Sequence, residues 1–284
     1  KKLNTTIKLN PTLLGPERLR SILNDQLGFE TTVPDAAFEH DLKYPDALQL
    51  IRTLQDAAAA RGVAFGIKLT NTLECLNHRG VFPEKEKMMY MSGRALHPLS
   101  VNLAARLQEE FNGELDISFS AGADCFNVAD LIAAGLKPVT VSSDLLKPGG
   151  YGRLSQYMEE LAAAMQGCSS IEKFITARAG IKDVRKAALQ NLVRYAALVS
   201  GETSYKKSHY PERSVKTERP LTPFDCVKAP CVTTCPASQE VPEYMYHTAN
   251  GDYDRALEVI LRTNPLPTIT GMVCDHLCMG KCTR

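Results

Sequence analysis

The sequence lacks the features that mark three large classes of protein. Its 33 basic and 32 acidic side chains leave no excess of charge of one sign, and no basic stripe carries interleaved aromatic residues, so we expect no nucleic-acid partner. No apolar run approaches the roughly 20 residues that cross a bilayer, so we expect no membrane insertion. The first residues contain no apolar signal stretch, and we therefore expect a soluble protein of the reducing cytoplasm.

Cysteine is sparse over most of the chain and concentrated near its end. Six of the nine cysteines form two triplets with the spacings C-x4-C-x3-C-P and C-x3-C-x3-C: Cys226, Cys231 and Cys235, then Cys274, Cys278 and Cys282. Such runs are typical of iron-sulfur proteins, in which the last cysteine, standing before proline, binds the other of two clusters. The spacing therefore predicts a two-cluster electron-transfer module with these six cysteines as metal ligands.

Two other uses of cysteine compete with this interpretation. Structural zinc sites usually have a C-x2-C knuckle in each half-site, which neither triplet has. A disulfide framework needs an oxidising compartment, which the sequence does not indicate. The remaining cysteines, Cys75, Cys125 and Cys168, stand alone, and we expect them to be small core residues.

Short apolar strands alternate with longer helical patterns up to residue 165. Strands are predicted at 5–9, 64–69, 115–119 and 138–141, and helices at 17–26, 47–61, 98–110, 128–134 and 153–165. This alternation predicts parallel β-α units and an α/β fold. A closed (β/α) barrel needs eight strands, so we expect either an open sheet or a partial TIM-like barrel whose other part is missing.

Composition divides the chain into three regions. Residues 1–200 contain the partial barrel and end in helical sequence from 170 onwards. Residues 201–223 are polar and basic and are predicted to be a linker. Residues 224–284 are predicted to form a small, truncated α-helical domain for the clusters, with a helix capped by Asp252 between the two triplets. We expect the chain to be a fragment of a longer protein, since it ends two residues after Cys282.

Polar and small residues follow the predicted strands, at the edge where ligands bind in parallel sheets and barrels. They are Lys8, Asn71, Ser92, Gly93, Gly122, Ala123, Ser142 and Ser143. Backbone amides in glycine-containing loops, next to a helix N-terminus, can hold a phosphate. Glycine and serine are also common in ordinary turns, so the residues alone leave phosphate binding open.

Together these segments resemble the flavin-binding barrel of the dihydroorotate and dihydropyrimidine dehydrogenase family. The resemblance lies in KLNPT at 8–12, TNT at 70–72, MSGRALHPLSVNL at 91–103, SAGADCFNVADLIAAG at 120–135 and VTVSSDLL at 139–146. It implies that Lys8 and Asn71 contact the ring of FMN and that the other strand-end residues complete its site. The segments at 120–135 and 139–146 resemble the family's two phosphate-binding strand ends, and in the first of them Ala121 and Ala123 stand where that family prefers glycine.

Residues 226–284 resemble the two-cluster domain of dihydropyrimidine dehydrogenase and of the glutamate synthase small subunit, through APCVTTCP at 229–236 and GMVC at 271–274. The resemblance implies two [4Fe-4S] clusters. The implied ligand sets are Cys226, Cys231 and Cys282 for one cluster and Cys235, Cys274 and Cys278 for the other. Pro223 stands where that family has its first cluster cysteine, and the last ligand of the second cluster is placed beyond Arg284.

A barrel placed before such a domain resembles the family of selenate reductase flavin and iron-sulfur subunits. This resemblance implies a flavin- and iron-sulfur-dependent oxidoreductase. Electrons from NADPH would enter FAD in a downstream part and pass through the clusters to a second flavin or a small-molecule substrate at the barrel. Other reductase subunits are the implied partners. The alternative is a non-catalytic docking scaffold of a reductase complex, in which a degenerate barrel binds no FMN. The sequence identifies no catalytic acid or base.

Overall fold

The computed structural model describes residues 2–77, 82–146, 150–209 and 229–281. Contacts between residues divide the chain into two compact units. Unit 1 comprises Lys1–Ser142 with Leu161–His209, and unit 2 comprises Ser143–Glu160 with Tyr210–Arg284. In the parts of the chain that are described, no helix is long and apolar enough to cross a membrane.

The strands of unit 1 form two sheets. Their bounds are β1 Thr5–Leu9, β2 Phe65–Leu69, β3 Leu73–Leu76, β4 Met88–Met91 and β5 Ile117–Phe119. Strands β1, β2 and β5 form a parallel sheet in that order, and β3 pairs with β4 in an antiparallel hairpin. The parallel sheet confirms the predicted α/β fold, whereas the sequence pattern does not predict the hairpin.

The register of the parallel sheet places the carboxyl ends of its strands side by side. Leu9, Leu69 and Phe119 lie opposite one another in the three strands, and all three are buried. Alternate side chains of a strand face the same side of a sheet, and Ile67 and Ile117 are accordingly buried as well. The segments that follow β1, β2 and β5 therefore start at one edge of the sheet.

Residues 138–141 form a single bridge rather than the predicted strand. Val139 pairs with Phe119 in a parallel bridge. Pro138 has no N–H and cannot donate a hydrogen bond to a neighbouring strand, although its carbonyl accepts one from the N–H of Phe119 at 3.0 Å. In the described residues the parallel sheet is consequently limited to three strands and this bridge.

Helices cover most of the remaining chain up to residue 200. They are α1 Pro16–Arg20, continued by a π-helix at Ser21–Gln26, α2 Asp35–Glu39, α3 Tyr44–Arg61, α4 Leu96–Glu110, α5 Val128–Ala133, α6 Leu154–Ala164, α7 Ile171–Ala179 and α8 Val184–Val199. Helix α4 is buried along most of its length and packs against α8. The predicted helical sequence from 170 is two helices, because Gly180, in the left-handed conformation, ends α7 and Asp183 caps α8.

The cysteine-bearing part of unit 2 consists of short helices. They are α9 Pro230–Thr234, α10 Val241–Ala249, α11 Tyr253–Leu261 and α12 Pro267–Met272. Helix α10 packs against α11, and Asp252 caps α11 as predicted by accepting a hydrogen bond from the N–H of Arg255 at 3.1 Å. Among the described residues of unit 2, the buried apolar residues are Tyr157, Ala229, Val241, Ala256 and Val259.

Candidate functional site

Four of the six triplet cysteines lie among the described residues of unit 2. Cys231 lies in α9 and Cys235 follows it directly, whereas Cys274 comes just after α12 and Cys278 just before a 3-10 turn at Met279–Lys281. The turn packs against α9, so the two triplets approach each other. The other two predicted ligands, Cys226 and Cys282, lie outside the described residues.

Tyr244 on α10 lies where the two triplets meet. Burial raises the pKa of its phenol, and the charges of four cysteines raise it further: Cys278, Cys231, Cys235 and Cys274. Such electrostatic effects weaken with distance and with solvent screening, so Tyr244 and the four cysteines belong to the same region of unit 2. The structure therefore gathers cysteines that α10, α11 and α12 separate in the sequence.

The backbone at the second triplet directs an amide toward a sulfur atom. His276 has a φ of 52°, and its N–H donates a hydrogen bond to Sγ of Cys274 at 3.3 Å. This hydrogen bond holds the sulfur atom against the backbone of the second triplet. Cys274 is exposed, whereas Cys231, Cys235 and Cys278 are half-buried.

The gathered thiols have the donor chemistry of an iron-sulfur site. Within the described ranges, no three His, Cys, Asp or Glu side chains stand close enough to share a single metal ion. In a [4Fe-4S] cluster held by four cysteines the thiolates are distributed over the iron atoms and need not share one ion. The cysteines around Tyr244 therefore fit a cluster.

In unit 1, the ends of β1 and β2 carry a hydrogen-bonded pair of asparagines. Nδ2 of Asn71 donates to Oδ1 of Asn10 at 2.7 Å, and Nδ2 of Asn10 donates to Oδ2 of Asp41, also at 2.7 Å. Asp41 additionally accepts a hydrogen bond from the hydroxyl of Thr12. Asn71 is thus held in place at the strand ends, whereas Lys8 on β1 is exposed.

Backbone hydrogen bonds join the end of β2 to the loop after β5. The N–H of Ser120 donates to the carbonyl of Leu69 at 2.6 Å, and the N–H of Thr70 donates to the carbonyl of Ser120 at 3.3 Å. The buried hydroxyls of Thr70 and Ser100 are 2.8 Å apart. The loop after β5 and helix α4, which carries Ser100, are therefore both fixed to the end of β2.

The predicted phosphate loop after β5 touches the Ser92-Gly93 segment of unit 1 at a glycine of each. A Cβ at Gly122 would lie 2.5 Å from the carbonyl oxygen of Gly93, and Gly122 has a φ of +61°, so only glycine fits there. Ala123 next to it is buried, whereas Ser92 is exposed. The structure thus brings Gly93 and Gly122 together and places the side chain of Ala123 in the core.

The start of α5, which follows this loop, is bonded to the chain's own side chains. Oδ1 of Asp124 accepts hydrogen bonds from the N–H groups of Phe126 at 2.9 Å and Asn127 at 3.1 Å. Oδ1 of Asn127 in turn accepts one from the N–H of Asp124 at 2.9 Å. A carboxylate therefore already takes up two amides just before the helix, and the loop fits the phosphate of FMN less well than the family resemblance implies.

The last two predicted FMN residues fall on opposite sides of the division between the units. Ser142 is exposed at the end of the first segment of unit 1, and Ser143 begins a 3-10 turn in unit 2. Next to Ser143, the buried carboxylate of Asp144 accepts two hydrogen bonds from Arg153, at 3.0 and 3.1 Å, and one from the hydroxyl of Tyr157 at 2.6 Å. The buried ion pair brackets the glycine-containing stretch at 147–152, of which 147–149 lie outside the described residues.

Two of the three isolated cysteines are buried, as the sequence predicts for core residues. Cys75 and Cys125 are buried, and Cys168 is half-buried. Burial raises the pKa of the Cys75 thiol, which keeps it protonated and unreactive.

Sequence reasoning missed three features of these sites. Asp41 has no motif and is brought to the strand ends by the fold, and Tyr244 sits on a helix whose sequence gives no sign of the nearby thiols. The pair Asp144 and Arg153 could have been found, because the two residues flank the glycine-containing stretch at 147–152, which is visible in the sequence.

Residues 1–201 match the family described as oxidoreductase YgfK, N-terminal TIM-barrel domain. Residues 202–284 match the family described as dihydropyrimidine dehydrogenase domain II, 4Fe-4S cluster. These matches confirm the TIM-type α/β fold and the iron-sulfur domain that the sequence predicts. A comparison with solved structures finds no match.

Three curated relatives show how the similarity is distributed. Oxidoreductase YgfK of Escherichia coli K12 is 43% identical over 286 residues, which cover all of this chain and 26% of the relative. The NADPH-Fe(3+) oxidoreductase subunit beta of Geobacter sulfurreducens is 37% identical over 61 residues, 22% of this chain and 9% of the relative. The glutamate synthase [NADPH] small chain of Azospirillum brasilense is 39% identical over 54 residues, 18% of this chain and 11% of the relative.

The chain spans about a quarter of the length of YgfK, the relative that it matches throughout. The match to the YgfK barrel family covers well over half of the chain. The chain therefore belongs to the family of oxidoreductase YgfK N-terminal TIM-barrel domains and continues into a 4Fe-4S domain of the dihydropyrimidine dehydrogenase type.

Proposed function

We propose that the chain is the electron-transfer part of a flavin- and nicotinamide-dependent oxidoreductase of the selenate reductase subunit type, acting in the cytoplasm. The observation that carries this proposal is the packing of the turn after Cys278 against α9, which carries Cys231, in a region that matches a 4Fe-4S domain. Thiolate ligands on two separate segments are what an iron-sulfur site requires.

Two [4Fe-4S] clusters are proposed. Their ligand sets in this chain are Cys226, Cys231 and Cys282 for one and Cys235, Cys274 and Cys278 for the other. When bound, such clusters take up and release single electrons. Helix α9 and the turn at Met279–Lys281 hold the thiols in place. The N–H of His276 donates a hydrogen bond to the sulfur of Cys274. Hydrogen bonds to sulfur raise the potential of a cluster.

The names of two relatives support the proposed electron donor. The Geobacter protein is called a subunit of an NADPH-Fe(3+) oxidoreductase, and the Azospirillum protein is the small chain of an NADPH-dependent glutamate synthase. We infer that electrons come from NADPH through FAD, both bound outside this chain, and that other reductase subunits are the partners. These relatives match only 61 and 54 residues of this chain, a length close to that of the cysteine-bearing region, and the inference concerns that region first.

The proposed electron acceptor at unit 1 is FMN or a small-molecule substrate at the ends of β1, β2 and β5. The candidate residues are Lys8, Asn71, Ser92, Gly93, Gly122, Ala123, Ser142 and Ser143. In favour of this location, the asparagine pair at β1 and β2 and the contact of Gly93 with Gly122 lie on segments that hydrogen bonds tie to one strand end. Lys8 and Asn71 would hold the flavin ring, and the glycine loops its phosphate.

A second candidate function is a docking scaffold whose barrel binds no FMN. The observation that favours it is the carboxylate of Asp124, which accepts from the amides of Phe126 and Asn127 in the loop just before α5 and so brings a negative charge to the place proposed for a phosphate. In this case the clusters transfer electrons without a flavin in unit 1.

The test is metal, sulfide and flavin analysis of the full-length protein purified without oxygen. Two four-iron clusters require about eight iron atoms, so the wild type should hold at least that many, with matching sulfide. The Cys235→Ser variant should lose the iron of one ligand set, and Cys168→Ser, which changes an isolated thiol, should lose none.

The outcomes separate the candidates. Full iron together with FMN supports electron transfer to a flavin in unit 1, and full iron without FMN supports the scaffold. Zinc without sulfide, or iron that Cys235→Ser leaves unchanged, would overturn the cluster proposal.

A further inference from the structure

Two consecutive carbonyl groups in the loop after β5 are held by buried side chains. The carbonyl of Ala121 accepts a hydrogen bond from Nδ1 of His97 at 2.7 Å, and the carbonyl of Gly122 accepts one from Nδ2 of Asn127 at 3.0 Å. His97 comes from α4 and Asn127 from the residue just before α5. The orientation of both peptide groups is therefore set from outside the loop.

The two donors are joined to each other through a pair of tyrosines. Nε2 of His97 lies 2.7 Å from the hydroxyl of Tyr195, the two tyrosine hydroxyls lie 3.4 Å apart, and Nδ2 of Asn127 donates to the hydroxyl of Tyr205 at 3.1 Å. These bonds close a ring. We call it the His97 ring, and its members are Ala121, His97, Tyr195, Tyr205, Asn127 and Gly122.

The hydrogen bonds of the His97 ring allow one consistent assignment of donors and acceptors. A carbonyl can only accept, so Nδ1 of His97 carries the proton and Nε2 accepts from the hydroxyl of Tyr195. The oxygen of Tyr195 is then free to accept from Tyr205, whose oxygen accepts from Asn127. Each donor in the ring has an acceptor, and no two donors face each other.

The side chains of the His97 ring are almost completely enclosed. His97 is 0% exposed, Asn127 2%, Tyr205 5% and Tyr195 7%. The imidazole of His97 stacks on the ring of Tyr205, with centroids 5.1 Å apart and planes at 7°. A buried polar network that is fully bonded is rigid, and the loss of one member leaves the others unsatisfied.

Fixing these carbonyls also fixes the amides that follow them. A peptide group is planar with its C=O and N–H on opposite sides, so the carbonyls of Ala121 and Gly122 set the directions of the N–H groups of Gly122 and Ala123. These are the backbone amides of the predicted phosphate loop, next to the contact of Gly122 with Gly93.

Tyr205 also connects the loop to the segment that leads toward the cysteine-bearing region. It lies in a 3-10 turn at Thr203–Tyr205, within the predicted linker. The segment is held on unit 1 by Nη1 of Arg94, which donates to the carbonyl of Ser204 at 3.0 Å, and by the N–H of Lys207, which donates to the carbonyl of Leu27 at 2.8 Å. The ring thus contains a residue beyond the matched barrel region, which ends at residue 201.

We propose that the side chains of the His97 ring are positioning residues, which orient the loop after β5 so that its amides can meet a phosphate group. The phosphate is that of a flavin nucleotide, and this part rests on the FMN site of the proposed function. The positioning of the loop by these side chains does not depend on the FMN site.

The test compares variants of the full-length protein by amide hydrogen exchange and by FMN titration. Tyr205→Phe keeps the stacked ring but removes the hydroxyl, and His97→Leu removes both hydrogen bonds of the imidazole. His97→Gln can still donate to Ala121 and accept from Tyr195, so it should rescue the loop. Tyr44→Phe is the control, because it removes a hydroxyl that donates to the carbonyl of Arg106 at 3.2 Å, outside the ring.

Exchange of the amides at 121–127 should rise about tenfold in Tyr205→Phe and more in His97→Leu, since a lost hydrogen bond changes local opening by this order. His97→Gln and Tyr44→Phe should stay near the wild type. If the wild type binds FMN, Tyr205→Phe should weaken binding by about the same factor without changing the stoichiometry.

Faster loop exchange with weaker FMN binding supports both the positioning role and the FMN site. Faster loop exchange in a protein that binds no FMN supports the positioning role and rejects the FMN site. Unchanged exchange at 121–127 in both Tyr205→Phe and His97→Leu would overturn the inference, whatever the flavin content.

Discussion

The two units of the chain are stabilised in different ways. In unit 1, α4 is enclosed between the sheet and α8, with Leu99, Leu103 and Leu107 fully buried. In unit 2, the described buried residues are few, and large apolar side chains such as Met272 and Val273, 84% and 76% exposed, face solvent beside the second triplet. Small domains with little apolar burial depend on staples such as metals. Unit 1 therefore owes its stability to its core, whereas we expect the described part of unit 2 to depend on the proposed thiol ligands.

Removal of a proposed cluster ligand should destabilise unit 2 and leave the stability of unit 1 unchanged. We expect Cys274→Ser to lose the iron of one ligand set and to expose α10 to α12 to proteolysis, because metal binding in small domains supplies on the order of 10 kcal/mol of folding free energy. Iron analysis and limited proteolysis of the full-length protein measure this. Cys168→Ser should match the wild type, and a Cys274→Ser protein with full iron and an unchanged digestion pattern would contradict the comparison.

A cavity in the core of unit 1 should have the opposite effect. Phe119→Ala removes a fully buried ring from β5 and should lower the unfolding free energy of unit 1 by about 3–5 kcal/mol. Native-state hydrogen exchange of α4 amides reports this loss, and the iron content should not change. Leu3→Ala, at a residue that is 64% exposed, is the control. Loss of iron in Phe119→Ala would show that the units do not differ as described.

Acid should weaken unit 1 through His97. Burial, with a smaller contribution from the charge of Arg94, lowers the pKa of His97 from 6.5 to about 4, although the hydrogen bond with Ala121 opposes this. The unfolded chain takes up a proton near pH 6.5 and the folded chain only near pH 4. The contribution is therefore fully present above pH 6.5 and is lost as the pH falls to 4.

This loss should amount to roughly 3 kcal/mol between pH 7 and pH 4. Hydrogen exchange of α4 amides at a series of pH values, corrected for intrinsic exchange rates, measures it. His97→Gln should show a smaller dependence on pH, and an equal dependence in both proteins would assign the effect to other groups.

The smallest effects should come from the helix caps, which allow a matched comparison of the units. Ser170 caps α7 in unit 1 and Asp252 caps α11 in unit 2. Each side chain accepts a hydrogen bond from the N–H of the residue three positions later. Ser170→Ala and Asp252→Ala should each cost about 1 kcal/mol. Only Asp252→Ala should speed the release of iron to a chelator. Equal release rates in the two variants would show that α11 does not support the cysteine-bearing region.

Local patterns in the sequence predict much of the secondary structure. The β-branched run at 5–9 and the periodic helix ending at Gly62 are visible from the residues alone, as is the cap at Asp252. The hairpin of β3 and β4 escapes prediction because its second strand, MMYM, has no alternation of polar and apolar residues. Pro138 reduces the expected fourth strand to one bridge.

Features that depend on contacts distant in the sequence could not be predicted in the same way. Spacing identifies the six cysteines, but the position of Tyr244 among four of them depends on how α10 folds back. Asp41 and the His97 ring likewise arise only when separate elements meet. The predicted domain boundaries at 200 and 224 stay predictions, and the contacts group residues 143–160 with the cysteine-bearing region.

The exposure of Cys274 has a consequence for handling and labelling the protein. Oxidants and alkylating reagents reach an exposed thiolate before a buried one. Without metal, Cys274 should therefore react first, the half-buried Cys231, Cys235 and Cys278 next, and the enclosed Cys75 last. The order in which these described thiols are labelled therefore reports whether the proposed metal centre is intact, because a bound metal would protect Cys274 from the reagent.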